Sequence, residues 1–130
     1  MSSEPPMPDV VIRIVDDDAA IRRALARLVE SMGMRAETFA SPEALLAHDL
    51  DEAAGCLLID VKLPGMDGFE LHQRIVADGR KTPVIFITAH PHRSARSRAE
   101  QADAVAFLEK PFDDEMLLAA IRTALDRAPG

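Results

Sequence analysis

The stretch Val10-Val11-Ile12-Arg13-Ile14-Val15-Asp16-Asp17 decides the fold: a short, mostly apolar run ends on two adjacent carboxylates. Three more runs along the chain end on a polar side chain. Cys56-Leu57-Leu58-Ile59 closes on Asp60, Val84-Ile85-Phe86-Ile87 on Thr88, and Val105-Ala106-Phe107-Leu108-Glu109 on Lys110. All four read as strands. When parallel strands lie side by side their carboxyl ends share one edge, and open α/β sheets bind ligands outside that edge. Five scattered side chains, Asp16, Asp17, Asp60, Thr88 and Lys110, therefore converge on one place, and together they make a set suited to phosphoryl transfer.

The segments between the runs have helical period, which is the alternation of an α/β fold built on a parallel sheet. Five strand-and-helix units fit. In the first helix Ile21, Leu25, Leu28, Val29 and Met32 share a face, and Gly33 ends it. The second strand is expected over Arg35 to Phe39. Ser41 then reads as an N-cap with Pro42 at the first helical position, opening a short helix through Leu45 and Leu46. Asp67 and Glu70 form a capping-box-like pair at the start of the third helix, which Gly79 closes. The fourth helix, within Pro91 to Ala102, offers only Ala95, Ala99 and Ala102 as a stripe and should grip the core poorly. The last, about Asp114 to Arg127, is well patterned through Leu117, Ala120, Ile121, Ala124 and Leu125.

The 130 residues suit one domain with one core, and 48% of them are hydrophobic, which is enough to build it. Fifteen lysines and arginines against 22 acidic residues give a net charge of -7, the wrong sign for direct binding to nucleic-acid phosphates. The single cysteine, Cys56, lies in an apolar run and fits a buried thiol in a reducing compartment. No stretch approaches the ~20 apolar residues that span a bilayer, so no membrane contact is expected and the cytoplasm is the expected location. Residues 1–8 read as a disordered tail, 9–127 as the domain, and 128–130 as a terminus or the start of a linker.

Asp16, Asp17 and Asp60 can together hold one hard divalent cation, because Mg²⁺ prefers oxygen ligands and keeps waters or a phosphate oxygen beside one or two carboxylates. A plainer reading has the acidic pair opening a helix, where negative charge suits the macrodipole; Asp18 fits that role as an N-cap. Asp60 alone is no more than a polar residue at a strand end. Beside the acidic pair, and followed by Pro64-Gly65-Met66-Asp67-Gly68, it becomes the candidate nucleophile, since a carboxylate can form an aspartyl phosphate. Thr88 can hydrogen-bond a phosphoryl oxygen, and Lys110 can neutralise another as a compact charge.

At these residues the chain resembles the receiver domain of two-component response regulators. The resemblance runs from Val10 to about Arg127. It is carried by Val15-Asp16-Asp17-Asp18, by Ile59-Asp60 with Leu63-Pro64-Gly65-Met66-Asp67-Gly68, by Ile87-Thr88-Ala89 and by Lys110-Pro111-Phe112. It implies a doubly wound, flavodoxin-like parallel sheet of five strands in the order 2-1-3-4-5, flanked by five helices. Asp60 is then the phosphoacceptor, with Asp16, Asp17, Asp60 and the backbone carbonyl of Lys62 as ligands of the cofactor Mg²⁺. Thr88 is the switch hydroxyl, Lys110 the phosphate-contacting amine, and Phe107 the aromatic residue that turns inward behind Thr88. Without a hydroxyl, Phe107 can equally be a plain core residue. The resemblance further implies a cis Lys110-Pro111 bond, and it places Lys62 and His90 where receivers tune dephosphorylation through water access.

Two departures from the family stand out. Asp103 falls where receivers commonly carry glycine, a position favouring a left-handed backbone. The region of His90, His92, Arg93, Arg96 and Arg98 is more basic than the family leads one to expect, and reads either as a solvated face or as a partner surface.

The expected function is a switch rather than a turnover enzyme, with self-phosphorylation and autodephosphorylation as its only chemistry. It takes a phosphoryl group from a histidine kinase or phosphotransfer protein and changes affinity for a downstream protein or a second copy of itself through the fourth helix and fifth strand. An alternative is a haloacid-dehalogenase-like phosphatase with Asp16 as nucleophile and Asp18 as acid/base. A third is an interaction domain independent of phosphorylation.

Overall fold

The computed structural model describes residues 10–48, 54–89 and 92–127. The expected tail (residues 1–8), residues 128–130 and His90 lie outside the described residues. Strands β1 (Val11–Val15), β2 (Arg35–Phe39), β3 (Ala54–Asp60), β4 (Val84–Thr88) and β5 (Ala106–Glu109) alternate with helices α1 (Ala19–Ser31), α2 (Pro42–Ala47), α3 (Gly68–Ala77), α4 (Arg93–Gln101) and α5 (Asp114–Arg127). All neighbouring strands are parallel, in the order β2-β1-β3-β4-β5.

The strand composition explains that order. Every residue of β1 and β4 is buried, as central strands covered on both faces require, whereas β2 at one edge has only exposed and half-buried positions. Successive side chains point to opposite faces. Ile12, Ile14, Cys56, Leu58, Ile85 and Ile87 meet α1 and α5 on one side, while Val15, Leu57, Ile59 and Phe86 meet α2, α3 and α4 on the other. Cys56 is fully buried, and burial pushes its thiol up to about 12, so it behaves as a small hydrophobe.

Local signals place the helix ends. Asp18 accepts the N–H groups of Ala20 and Ile21, Ser41 that of Ala44, and Asp67 that of Glu70. Gly33 and Gly79 leave α1 and α3 at φ 82 and φ 84, the left-handed region where a Cβ is penalised. Asp103, in the place of the family's glycine, adopts φ 56. The structure differs from expectation at a few boundaries. Met32 lies one residue beyond α1 and packs against the core from the turn. Strands β1 and β5 begin at Val11 and Ala106, each one residue later than the apolar runs, whereas α4 falls within the expected stretch, with His92 as an N-cap residue that makes no side-chain cap hydrogen bond.

Candidate functional site

The parallel order brings the ends of β1, β3, β4 and β5 to one edge, and with them the five side chains. Asp16 follows β1 and is buried; Asp60 ends β3 and is buried; Asp17 is exposed. One carboxylate oxygen from each of the three lies within 4.8 Å of the others. Lys110 Nζ donates to Asp16 Oδ2 at 2.9 Å and to Asp60 Oδ2 at 3.3 Å. The other oxygen of each acid is held by backbone: Asp16 Oδ1 accepts the N–H of Asp18 at 2.9 Å, and Asp60 Oδ1 that of Lys62 at 3.1 Å. These two carboxylates are therefore oriented before any ligand arrives.

The electrostatics favour a cation. Burial, and after it the charge of Asp16, raises the Asp60 pKa above the usual carboxylate range; Lys110 and the Lys62 N–H offset this only in part. Burial works against the charge on Lys110, yet its hydrogen bond to Asp16 and the charges of Asp60 and Asp16 outweigh burial and raise its pKa. With all four groups ionised, three carboxylates against one ammonium leave two negative charges, matching a divalent ion. The donor set is all oxygen, which fits Mg²⁺ rather than a soft metal. A cavity of about 430 Å³ opens over these groups, bordered also by Lys62, Leu63 and Ala89.

Thr88 is buried at the end of β4, and its carbonyl accepts the N–H of Lys110 at 2.8 Å, which fixes the root of the lysine. The Lys110-Pro111 bond is cis, as the resemblance implied. In the β4–β5 register Phe86 lies opposite Phe107 and Thr88 opposite Glu109, so Thr88 and Phe107 share a sheet face on neighbouring strands. Phe107 is half-buried, with the Arg96 guanidinium 5.1 Å from its ring centre. Lys62 is exposed at the rim of the cavity.

Three features escaped the sequence reading. Arg22 in the first turn of α1 donates to the backbone carbonyl of Asp16 at 2.7 Å; nothing in a six-residue spacing signals this before strand and helix are docked. Gly68 donates its N–H to the Val61 carbonyl at 2.8 Å. This contact brings the start of α3 against the Asp60 peptide, where a Cβ would lie 2.9 Å from Ile59 Cγ2 and 3.1 Å from the Asp60 carbonyl carbon. The glycine beside an N-cap aspartate was the available signal. Finally, the basic surface expected on α4 is partly spent within the domain, because Arg96 pairs with Glu109 and Arg98 with Asp67.

A doubly wound five-stranded parallel sheet with an acidic cluster and a lysine on its carboxyl edge places the chain among the α/β proteins whose candidate ligand site lies outside that edge. Within that class the comparisons are specific: the family model of the response regulator receiver domain matches residues 12–122. The response regulator protein TmoT of Ectopseudomonas mendocina is 44% identical over 119 residues, covering 92% of this chain and 54% of TmoT. The transcriptional regulatory protein FixJ of Azorhizobium caulinodans is 38% identical over 117 residues, 90% of this chain and 56% of FixJ. The crystal structure of FixJ-N superposes with a TM-score of 0.85 at 32% identity, covering 95% of this chain and 99% of that one. The chain belongs to the response regulator receiver domain family. It spans about half the length of the two relatives named.

The phosphatase alternative finds no support in these comparisons, and the structure gives a physical objection to it. Asp18, its required acid/base, uses a side-chain oxygen to cap α1 through Ala20 and Ile21. No helix among the described residues is long and apolar enough to cross a membrane.

Proposed function

We propose that the domain receives a phosphoryl group from a histidine kinase or phosphotransfer protein onto Asp60, acts in the cytoplasm, and passes the change to a downstream protein or a second copy through α4 and β5. The observation that carries this reading is the Asp60 carboxylate itself: buried, lining the cavity, held by the Lys62 N–H and Lys110, and disfavoured in its charged form first by burial and then by Asp16. An oxygen of Asp60 attacks phosphorus, the bond from phosphorus to the donor's imidazole nitrogen breaks, and the electron pair leaves with that nitrogen. The donor imidazole carries a proton on its other ring nitrogen before transfer, so it leaves as neutral histidine, and the other product is an acyl phosphate.

Asp16, Asp17 and Asp60 would hold Mg²⁺, with the backbone carbonyl of Lys62 as a further ligand. When bound, the ion supplies charge neutralisation for the transferring group. Lys110 exchanges its contact with Asp60 for a phosphoryl oxygen, and the Thr88 hydroxyl donates to another. Moving Thr88 frees space on the sheet face it shares with Phe107, which turns to occupy it. Lys62, at the cavity rim, and His90 govern the approach of water to the acyl phosphate. The domain acts as a switch, with no substrate turned over beyond its own phosphorylation and dephosphorylation.

The test is incubation with Mg²⁺ and acetyl phosphate, followed by mapping of the hydroxylamine-labile adduct. The label is expected on Asp60 and is expected to vanish in Asp60→Asn. Label that persists in Asp60→Asn and disappears in Asp16→Asn overturns the assignment.

A further inference from the structure

Helix α4 has little apolar surface with which to hold the domain, since Ala95 and Ala99 are its buried side chains. Two arginines do that work instead. At about 100° per residue, Arg96 and Arg98 fall on opposite shoulders of the line through Ala95 and Ala99. Each makes the same pair of contacts. Arg98 reaches α3, where its Nη1 lies 3.2 Å from Asp67 Oδ2 and its guanidinium 4.4 Å from the ring centre of Phe69. Arg96 reaches β5, where its Nη2 lies 2.9 Å from Glu109 Oε1 and its guanidinium 5.1 Å from the ring centre of Phe107.

We propose that Arg96 is a positioning residue for the switch: its bond to Glu109 parks the guanidinium over Phe107 and holds the ring in its resting place. The proposal rests on the reading of Phe107 as the residue that follows Thr88. Glu109 is the register partner of Thr88, and Phe107 lies two residues earlier on the same face, so the strap anchors beside the very pair that must move. A ring that turns toward Thr88 leaves the guanidinium and gives up the cation–π contact. The side chains of Arg96 and Glu109 are 54% and 48% exposed, so water and salt weaken the strap, and phosphoryl binding can overcome it. Arg98, on the other shoulder, pairs with Asp67 and lies over Phe69 and serves as the fixed side of the helix.

Linkage fixes the sign of the effect. Whatever favours the resting state weakens a phosphoryl mimic by the same factor, so loss of Arg96 must tighten its binding. The full chain is titrated with beryllofluoride at fixed Mg²⁺ while the Phe107 ring resonance, assigned by its loss in Phe107→Leu, reports the switch. Arg96→Ala is expected to bind the mimic about threefold to tenfold more tightly, the scale of one exposed ion pair and one cation–π contact. In a Phe107→Leu background the same substitution should tighten binding far less. Arg98→Ala should speed hydrogen exchange across Arg93–Gln101 without moving the resting ring resonance. If Arg96→Ala fails to fold, Arg96→Gln, which keeps the stem and loses the charge, carries the same expectation. Unchanged affinity in the Arg96 variants, or equal tightening with and without the Phe107 ring, overturns the proposal. A wild-type ring resonance indifferent to beryllofluoride instead overturns the reading of Phe107, and the strap's role falls with it.

Discussion

Replacing Gly68 by alanine puts one methyl group where the start of α3 touches the peptide of Asp60. The new Cβ would lie 2.9 Å from Ile59 Cγ2 and 3.1 Å from the Asp60 carbonyl carbon, with the Asp60 carbonyl oxygen as its nearest neighbour. Carbon contacts are comfortable at about 3.5–4.0 Å, so helix and strand end must separate by about half an ångström or more. The neighbours that must give are mostly backbone, pinned by the 2.8 Å bond from the Gly68 N–H to the Val61 carbonyl. Overpacking of this kind costs about 1–3 kcal/mol, while alanine gains about 0.5–1 kcal/mol over glycine in a helix. The net expectation is a loss of about 1–2 kcal/mol, read as a lower urea midpoint. The same displacement moves Asp60 relative to Lys110 and Asp16. Since about 1 Å of misplacement can cost about a hundredfold in rate, half of that should slow labelling by acetyl phosphate by about tenfold. Gly79→Ala is the control: it is strained by φ 84 but has nothing within 4 Å of its Cβ, so it should lose stability without slowing labelling. Wild-type stability and labelling rate in Gly68→Ala would refute the close-contact argument.

Asp60→Asn should stabilise the domain in the absence of Mg²⁺, because the ionised carboxylate is disfavoured there by burial and by Asp16; urea unfolding at neutral pH checks this, and a less stable variant contradicts it. The same variant should gain little midpoint from added Mg²⁺, whereas the wild type is stabilised in proportion to the logarithm of the ion concentration above its Kd. His72, buried on α3 and edge-on to Phe86 at 5.7 Å, has its pKa lowered by burial. The unfolded chain then takes up a proton near the ordinary value of about 6.5 while the fold resists it. Its contribution is absent above that pH, and stability falls as pH drops from about 6.5 toward the lowered native value. His72→Leu should flatten that part of the stability-against-pH curve; a wild-type slope in the variant would show that another group titrates there.

Strand positions, the caps at Asp18, Ser41 and Asp67, and the boundaries of α5 were legible because each is set by neighbours within a few residues. Apolar runs, an N-cap oxygen and a helical stripe act locally, and the chain records them locally. The meeting of Asp16, Asp17, Asp60 and Lys110, at the edge where Thr88 ends β4, was legible for a different reason: parallel strands place their carboxyl ends on one edge whatever the details of packing. The sequence by itself therefore determined the class of fold, the edge on which the acidic cluster and the lysine lie and the residue types available there. The tertiary structure decided the contacts between elements remote in sequence, such as Arg22 on the Asp16 carbonyl, Gly68 against the Asp60 peptide, and two α4 arginines strapped over phenylalanines on either side. It also turned an apparently free basic face into one whose charges are partly paired at home. Those outcomes depend on the distance and angle at which a helix docks on the sheet, and such quantities are set jointly by many side chains rather than by any motif along the chain.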